Sequence, residues 1–459
     1  MNLIRSVICA ILLLSNQQSW SQGINVGTVQ VEKVLPSQQH LDWADAEIGV
    51  LIHFDLVNFV PDYEWRDWGS HPPASVFTPT RLDTDQWLQT AQELGAEYAI
   101  LVAKHCSGFS LWPTEAHGYS VKNSPWREGK GDIVADFIAS CKKYGIKPGL
   151  YYSTSANGYF SVDNPGLVVS KDSVKQKEYI GVVMQQLKEL WGNYGELFEI
   201  WFDGGVLPVS EGGPDAAKLL KELQPNAVVF QGPAEANNLI RWVGNEEGRA
   251  PYPNWSRTNH GTAADGTIEI EDLKGSYDGQ IWCPGEADFP LRKGWQGGWF
   301  WKAEGQELLS LAELMESYYT SVGRNSNMLL GVVVDTNGLV PDEDVERIRA
   351  FGKEIKRRFD TPIMATRGEG PTLEMKIGNH PTPVNHVIIE EDISRGENIR
   401  KYYVEASVNG RWEPLCEGIS VGHKRIQQFE EVCTDKIRLQ ILESDELPQI
   451  KKLSVYHVE

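Results

Sequence analysis

Between residues 48 and 359 the chain alternates two kinds of segment. Short apolar runs, continuous rather than alternating, fall at 48–56, 97–105, 147–153, 227–231, 241–246, 280–286 and 328–334, and a further one lies within 196–205. Runs of this kind suit strands buried on both faces of a parallel sheet. Between them lie segments with apolar residues at helical spacing, at 84–95, 132–145, 173–191, 216–223, 307–321 and 342–359. Asp132 is a plausible N-cap, and Gly95 and Gly145 are helix stops. About eight strands interleaved with helices predict an α/β fold, a (β/α)8-like barrel. A doubly wound open sheet is the competitor, but no Gly-rich nucleotide loop follows the first strand. The stretch 248–273 is rich in Pro, Asn and Gly and reads as a long loop. From about Thr361 helical spacing stops. Strand-like runs at 386–390, 402–408 and 436–442, with a hairpin signal at Asn409-Gly410, predict a C-terminal β-sandwich.

The first residues read as a processing segment. Arg5 precedes an apolar run at 7–14, too short to span a bilayer, and Ser19-Trp-Ser21 offers small residues for cleavage. The expected organisation is a signal peptide over 1–21, a barrel over 22–360 and a sandwich over 361–459, in an exported protein, periplasmic or secreted, without a membrane anchor. Cys9 lacks the small preceding residue of a lipoprotein site. The remaining cysteines, Cys106, Cys141, Cys283, Cys416 and Cys433, form neither a disulfide framework nor a zinc pattern. A Cys416–Cys433 bridge is possible but not favoured. The formal charge of −20 argues against nucleic acid or an anionic membrane as partner. Sixteen tryptophans is a high count. Most will pack in the core, but flat aromatic faces also suit the C–H-rich faces of sugars.

Candidate chemistry gathers at the predicted strand ends. His53 and Asp55 follow the first strand, His105 the second, Tyr151 or Tyr152 the third. The fourth, Glu196-Leu-Phe-Glu-Ile-Trp-Phe-Asp-Gly-Gly205, puts Glu199, Trp201 and Asp203 on one face and Asp203 at its C-terminal mouth. Asp203 could instead cap a helix or open a turn. Glu246 lies in Gly244-Asn-Glu-Glu-Gly248, and Glu64, Trp65 and His71 in the first loop. Each has a structural explanation alone; their convergence on one barrel face favours function. The set suits glycoside hydrolysis, which needs two carboxyl groups and groups to hold a sugar. His53, Asp55 and His105 could alternatively bind metal, but no close pair such as His-x-His supports that, and no cofactor is implied.

Gly49-Val-Leu-Ile-His53-Phe, Glu64-Trp65, Lys104-His-Cys-Ser-Gly-Phe109, Gly149-Leu-Tyr-Tyr-Ser153 and Glu199-Ile-Trp-Phe-Asp203-Gly together resemble the family 29 glycoside hydrolases, the retaining α-L-fucosidases. The resemblance covers about residues 40 to 360. It implies a (β/α)8-like barrel followed by a β-sandwich, Asp203 as nucleophile, and His53, Glu64, Trp65, His105, Trp201 and a tyrosine, taken as Tyr152, around the fucose. Cys106 and Ser107 replace the His and Asp of the commoner Lys-His-His-Asp-Gly-Phe pattern. A second branch of the family carries Cys there and its acid/base in a Gly-Asn-Glu segment. That implies Glu246 as acid/base, with Glu247 and Glu286 as rivals, and a fucosylated glycan substrate carrying α-1,3/4-linked fucose of the Lewis type. The alternatives are a non-catalytic glycan-binding protein on this fold, or another retaining exo-glycosidase such as an α-galactosidase.

Overall fold

In the computed structural model, which describes residues 33–259 and 273–459, eight parallel strands close into a barrel in chain order. They are β1 (Ile48–His53), β2 (Tyr98–Lys104), β3 (Lys147–Tyr152), β4 (Glu199–Trp201), β5 (Val228–Phe230), β6 (Leu239–Trp242), β7 (Gly285–Pro290) and β8 (Ser326–Val333). Helix α1 (Gln38–Ala46) precedes β1. Helices α2 (Thr84–Leu94), α3 (Ile133–Tyr144), α4 (Ser173–Asn193), α5 (Ala216–Leu223), α6 (Leu311–Thr320) and α7 (Asp342–Phe359) fall where the apolar spacing predicts them. Asp83 and Asp132 accept backbone N–H groups at the starts of α2 and α3, and Gly95 and Gly145 end those helices in the left-handed region. The segment joining β5 to β6 forms no helix.

Strand alternation divides the side chains into two cores. Leu51, Ile100, Val102, Tyr151, Trp201, Phe230, Ile240 and Leu329 fill the barrel interior. Their neighbours Ile52, Leu101, Leu150, Tyr152, Ile200, Val229 and Leu330 face the helices. Trp43 of α1 lies at the N-terminal end of the interior. Its carbonyl accepts from Asn327 Nδ2 at 2.7 Å.

The sixth and seventh strands depart from the expected positions. β6 starts earlier than the predicted run at 241–246 and ends at Trp242. The apolar run at 280–286 contributes Ile281–Trp282 to a small antiparallel pair with Arg257–Thr258, and β7 begins only at Gly285. This slip matters for the chemistry, because it puts Glu286 near the start of a strand rather than at its end.

Beyond α7, two four-stranded antiparallel sheets form the sandwich. One orders β9 (Met364–Glu369), β16 (Gln449–Tyr456), β11 (Thr382–Glu391) and β14 (Arg425–Thr434). The other orders β10 (Thr372–Lys376), β15 (Lys436–Ser444), β12 (Ile399–Val408) and β13 (Arg411–Gly418). Asn409 and Gly410 both have positive φ between β12 and β13, as a tight hairpin requires. Cys416 and Cys433 are both free thiols. Barrel and sandwich belong to one compact unit, Val34–Glu459. Glu397 accepts from Ser256 N and Oγ and from Asn325 Nδ2, His423 pairs with Asp45, and Tyr319 Oη meets His386. Among the described residues, no helix is long and apolar enough to cross a membrane. The segment read as a signal peptide lies outside the described residues.

Candidate active site

The C-terminal ends of the strands bring most of the predicted residues together. On β1, Leu51 and His53 share the interior face, so His53 ends its strand inside the barrel mouth and is buried. On β2 the register to β3 shifts between Val102 and Lys104. Val102 points inward, but Lys104 turns out over the ring of Tyr152 at 4.3 Å, so the next residue, His105, faces in. His105 stacks on Tyr151 with centroids 5.6 Å apart, and His53 lies 6.0 Å from His105. Tyr151 pairs in register with Trp201 and stacks on it at 5.1 Å.

Two residues beyond Trp201, Asp203 lies on the same face. Tyr151 Oη donates to Asp203 Oδ2 at 2.7 Å, and Ser155 Oγ donates to its backbone carbonyl. Gly204 follows with φ +66, and a Cβ there would stand 2.9 Å from Ser155 Oγ. The turn that ends β4 therefore needs a glycine. Burial pushes the Asp203 carboxyl above the ordinary range, while the Tyr151 hydrogen bond and the Lys104 charge favour its ionised form. Burial lowers Lys104 to about 7. Burial also lowers both His53 and His105 to about 3, with each one's neighbouring cationic group adding to the effect. Both imidazoles are neutral at neutral pH and can donate and accept hydrogen bonds to hydroxyls.

On the opposite side of the mouth stands Trp299, which the sequence reading missed. Its ring lies 4.9 Å from His53, and its Nε1 donates to Glu246 Oε2 at 2.9 Å. Gly331 on β8 makes room for it, since a Cβ there would meet the indole at 2.5 Å. Phe300 packs edge-on against both His53 and His105. Glu246 is thus linked to Asp203 through Trp299, His53 and Tyr151. Glu247 pairs with Arg249, its carboxylate 3.7 Å from the guanidinium. Asp288 was also missed. It lies on the inward face of β7 and accepts from Trp242 Nε1 at 2.7 Å. Burial and the nearby Glu246 and Glu286 charges push its carboxyl well above the ordinary range.

One predicted position and one rival candidate are corrected. Tyr152 is buried on the outer face of β3 and donates to Gln186 of α4 at 2.7 Å, so the tyrosine of the site is Tyr151. Glu286 lies deep in the barrel, fully buried, far down its strand from the mouth. Asp55 is structural: it caps the turn after β1 and accepts from Ser107 Oγ at 2.8 Å. That bond explains the serine in Lys104-His-Cys-Ser-Gly-Phe109. Glu64 is exposed and accepts from Arg66 N, while Trp65 is half-buried under the Arg66 guanidinium at 4.1 Å. The Trp65 carbonyl abuts Gly158, whose N–H donates to Cys106 O. Among the described residues, His105, Cys106 and Asp203 are the one group that could hold a metal, with donor atoms within 4.8 Å of one another. The Lys104 charge beside them opposes a cation.

Residues 28–358 match the family model described as Alpha-L-fucosidase. The chain is 32% identical to Alpha-L-fucosidase 1 of Arabidopsis thaliana, over 92% of this chain and 87% of the relative. A solved structure from Bacteroides thetaiotaomicron VPI-5482, assigned as an α-L-fucosidase, superposes with a TM-score of 0.88 at 37% identity. It covers 93% of this chain and all of that one. A glycoside hydrolase 29 family member from an unknown rumen bacterium gives 0.78 at 32%, over 93% of this chain and 78% of that one. With a barrel whose mouth gathers carboxyls, imidazoles and aromatic rings, the chain belongs to the α-L-fucosidase family of glycoside hydrolases.

Proposed function

We propose that the enzyme is an exo-acting, retaining α-L-fucosidase that removes α-1,3/4-linked fucose from branched, Lewis-type glycans. In the first step the Asp203 carboxylate attacks the anomeric carbon. The bond from that carbon to the aglycone oxygen breaks, and Glu246 gives that oxygen its proton. In the second step Glu246, now a carboxylate, takes a proton from water. The water oxygen bonds to the anomeric carbon, and the ester to Asp203 breaks.

The observation that carries this reading is the state of Asp203. It is a partly buried carboxyl at the barrel mouth, kept available for attack by one phenol donor and one nearby ammonium. His53, His105, Trp201 and Tyr151, with Glu64 and Trp65 from the first loop, would hold the sugar. The neutral imidazoles suit its hydroxyls and the rings suit its apolar face. Glu246 is exposed, as a group that protonates an aglycone oxygen should be. A cleft of about 470 Å³ opens beside it, lined in part by Glu247, Arg249, Phe289 and Lys293. It offers room for a branched aglycone. Cys106 and the Gly-Asn-Glu segment carry the linkage assignment, and the N-terminal segment carries the assignment to the periplasm or the exterior.

The test is release of free fucose from a Lewis-type trisaccharide, an α-1,2-fucosylated disaccharide and an aryl fucoside. The reading expects release chiefly from the branched trisaccharide. Preference for either of the others would overturn the linkage assignment.

A further inference from the structure

The barrel floor holds two carboxyls that the mechanism does not use. Glu199 on β4 and Glu286 on β7 are both fully buried. Their donors are two indoles and a phenol. Trp43 Nε1 donates to Glu199 Oε2 at 2.9 Å, Tyr98 Oη to Glu286 Oε1 at 2.7 Å, and Trp201 Nε1 to Glu286 Oε2 at 3.0 Å. Gly49 makes the second contact possible, because a Cβ there would stand 2.3 Å from the Tyr98 ring. The remaining oxygen, Glu199 Oε1, meets no N–H or O–H donor. The Glu286 carboxyl lies within hydrogen-bonding reach of the Glu199 side chain. Two facing carboxyls form a hydrogen bond only when one proton lies between them. Two bare carboxylates in this setting would repel with no cation bonded to either.

The floor is joined to the mouth by an unbroken series of contacts. Glu286 holds the Trp201 indole, Trp201 stacks on Tyr151 at 5.1 Å and 15°, and Tyr151 donates to Asp203. We propose that Glu199 and Glu286 are positioning residues, a carboxyl pair sharing one proton that fixes Trp201 and, through it, the tyrosine that orients the Asp203 carboxylate. The proposal rests on Asp203 as nucleophile. Burial and mutual proximity raise the Glu199 carboxyl, consistent with a retained proton. The titratable groups facing the pair are Tyr98, whose phenol burial pushes up and keeps protonated, and Asp288 further along β7. Loss of the shared proton at high pH sets two charges against each other and loosens Trp201.

The substitutions at the two positions have opposite expectations. In Glu199→Gln the amide nitrogen donates to Glu286 and the amide oxygen accepts from Trp43, so every contact survives without the shared proton. This variant should keep kcat within about twofold at neutral pH and hold it to higher pH than the wild type. In Glu286→Gln a single oxygen must serve both Tyr98 and Trp201, leaving a buried donor unmatched. That should cost about tenfold or more in kcat, with KM changed less. Loss of kcat in folded Glu199→Gln, or an unchanged alkaline limb in it, would overturn the proposal. Difference infrared spectroscopy reads the pair without turnover: the wild type should show a protonated-carboxyl C=O band that Glu199→Gln removes. Absence of such a band would also overturn it. Turnover persisting in Asp203→Ala would sink the nucleophile reading while leaving that band in place, so the two failures are distinguishable.

Discussion

The barrel buries carboxyls at both ends, and their neighbours give them opposite work. At the mouth, Asp203 has a phenol donor on one oxygen and the Lys104 charge nearby. Those neighbours stabilise the anion, which is what a nucleophile needs. At the floor, Glu199 and Glu286 have only neutral donors and each other. There the proton is the cheaper way to satisfy the last oxygen. Asp288 lies between the two levels on β7, with one indole donor and negative groups above and below. Burial raises every one of these carboxyls; what differs between the two ends of the barrel is the donor set that opposes it.

The comparison can be broken most severely at the mouth. Removing the Glu246 carboxyl in Glu246→Ala should cost on the order of 10²- to 10⁴-fold in kcat/KM on natural glycans. Azide should restore turnover of an activated aryl fucoside, giving the azide adduct with retained stereochemistry; a full loss with no azide effect would count against the assignment. Next in size is the tyrosine pair. Tyr151→Phe deletes the donor to Asp203 and should lower kcat by about tenfold. Tyr152→Phe loses only its bond to Gln186 and should cost about 1 kcal/mol of stability, with kcat near that of the wild type. Equal kinetic losses in the two would contradict the placement of Tyr151.

Smaller effects sharpen the electrostatic contrast. Asp203 already ionises above the ordinary aspartate range, so activity should fall as the pH drops through that raised value. Lys104→Met removes a charge that favours the anion. Its acid limb should therefore move to higher pH, read from kcat/KM against pH. An unmoved limb would mean that Lys104 serves only to bond the Ser153 and Ala156 carbonyls. Asp288→Asn keeps an acceptor for Trp242 and removes a carboxyl whose charged form is disfavoured by burial and by the nearby Glu246 and Glu286. It should change kcat little at neutral pH, and a large loss would show that the Asp288 carboxyl takes part in the reaction.

Much of the barrel is legible in the sequence because its strands are continuous apolar runs and its helices carry caps and stops. The inward face of β4 is legible too, since Glu199, Trp201 and Asp203 alternate with Ile200 and Phe202. What escapes is phase and register where the pattern is ambiguous. Tyr151 and Tyr152 are both aromatic and both buried, so composition does not say which faces inward; register with Trp201 does. β7 escapes because Gly285-Glu-Ala-Asp-Phe-Pro290 carries two acids and ends in proline. Those acids are buried through partners on other strands, Tyr98, Trp201 and Trp242, that the local pattern cannot reveal. The apolar Ile281–Trp282 that draws the eye belongs to a small side sheet. Trp299 and Asp288 are missed for the same reason, one lying in a loop and the other on the slipped strand. The Trp299 signal was available in Gly294-Trp-Gln-Gly-Gly-Trp-Phe300, an aromatic, glycine-rich loop just after a strand.

The central claim is that Asp203 is the nucleophile, and covalent trapping tests it most directly. The enzyme would be incubated with a 2-deoxy-2-fluoro-fucosyl fluoride, digested, and the peptides read by mass spectrometry. The account predicts one fluorofucosyl adduct, on the peptide carrying Asp203 and absent from Asp203→Asn. An adduct on another carboxyl, or steady hydrolysis with inversion and no adduct, would contradict it.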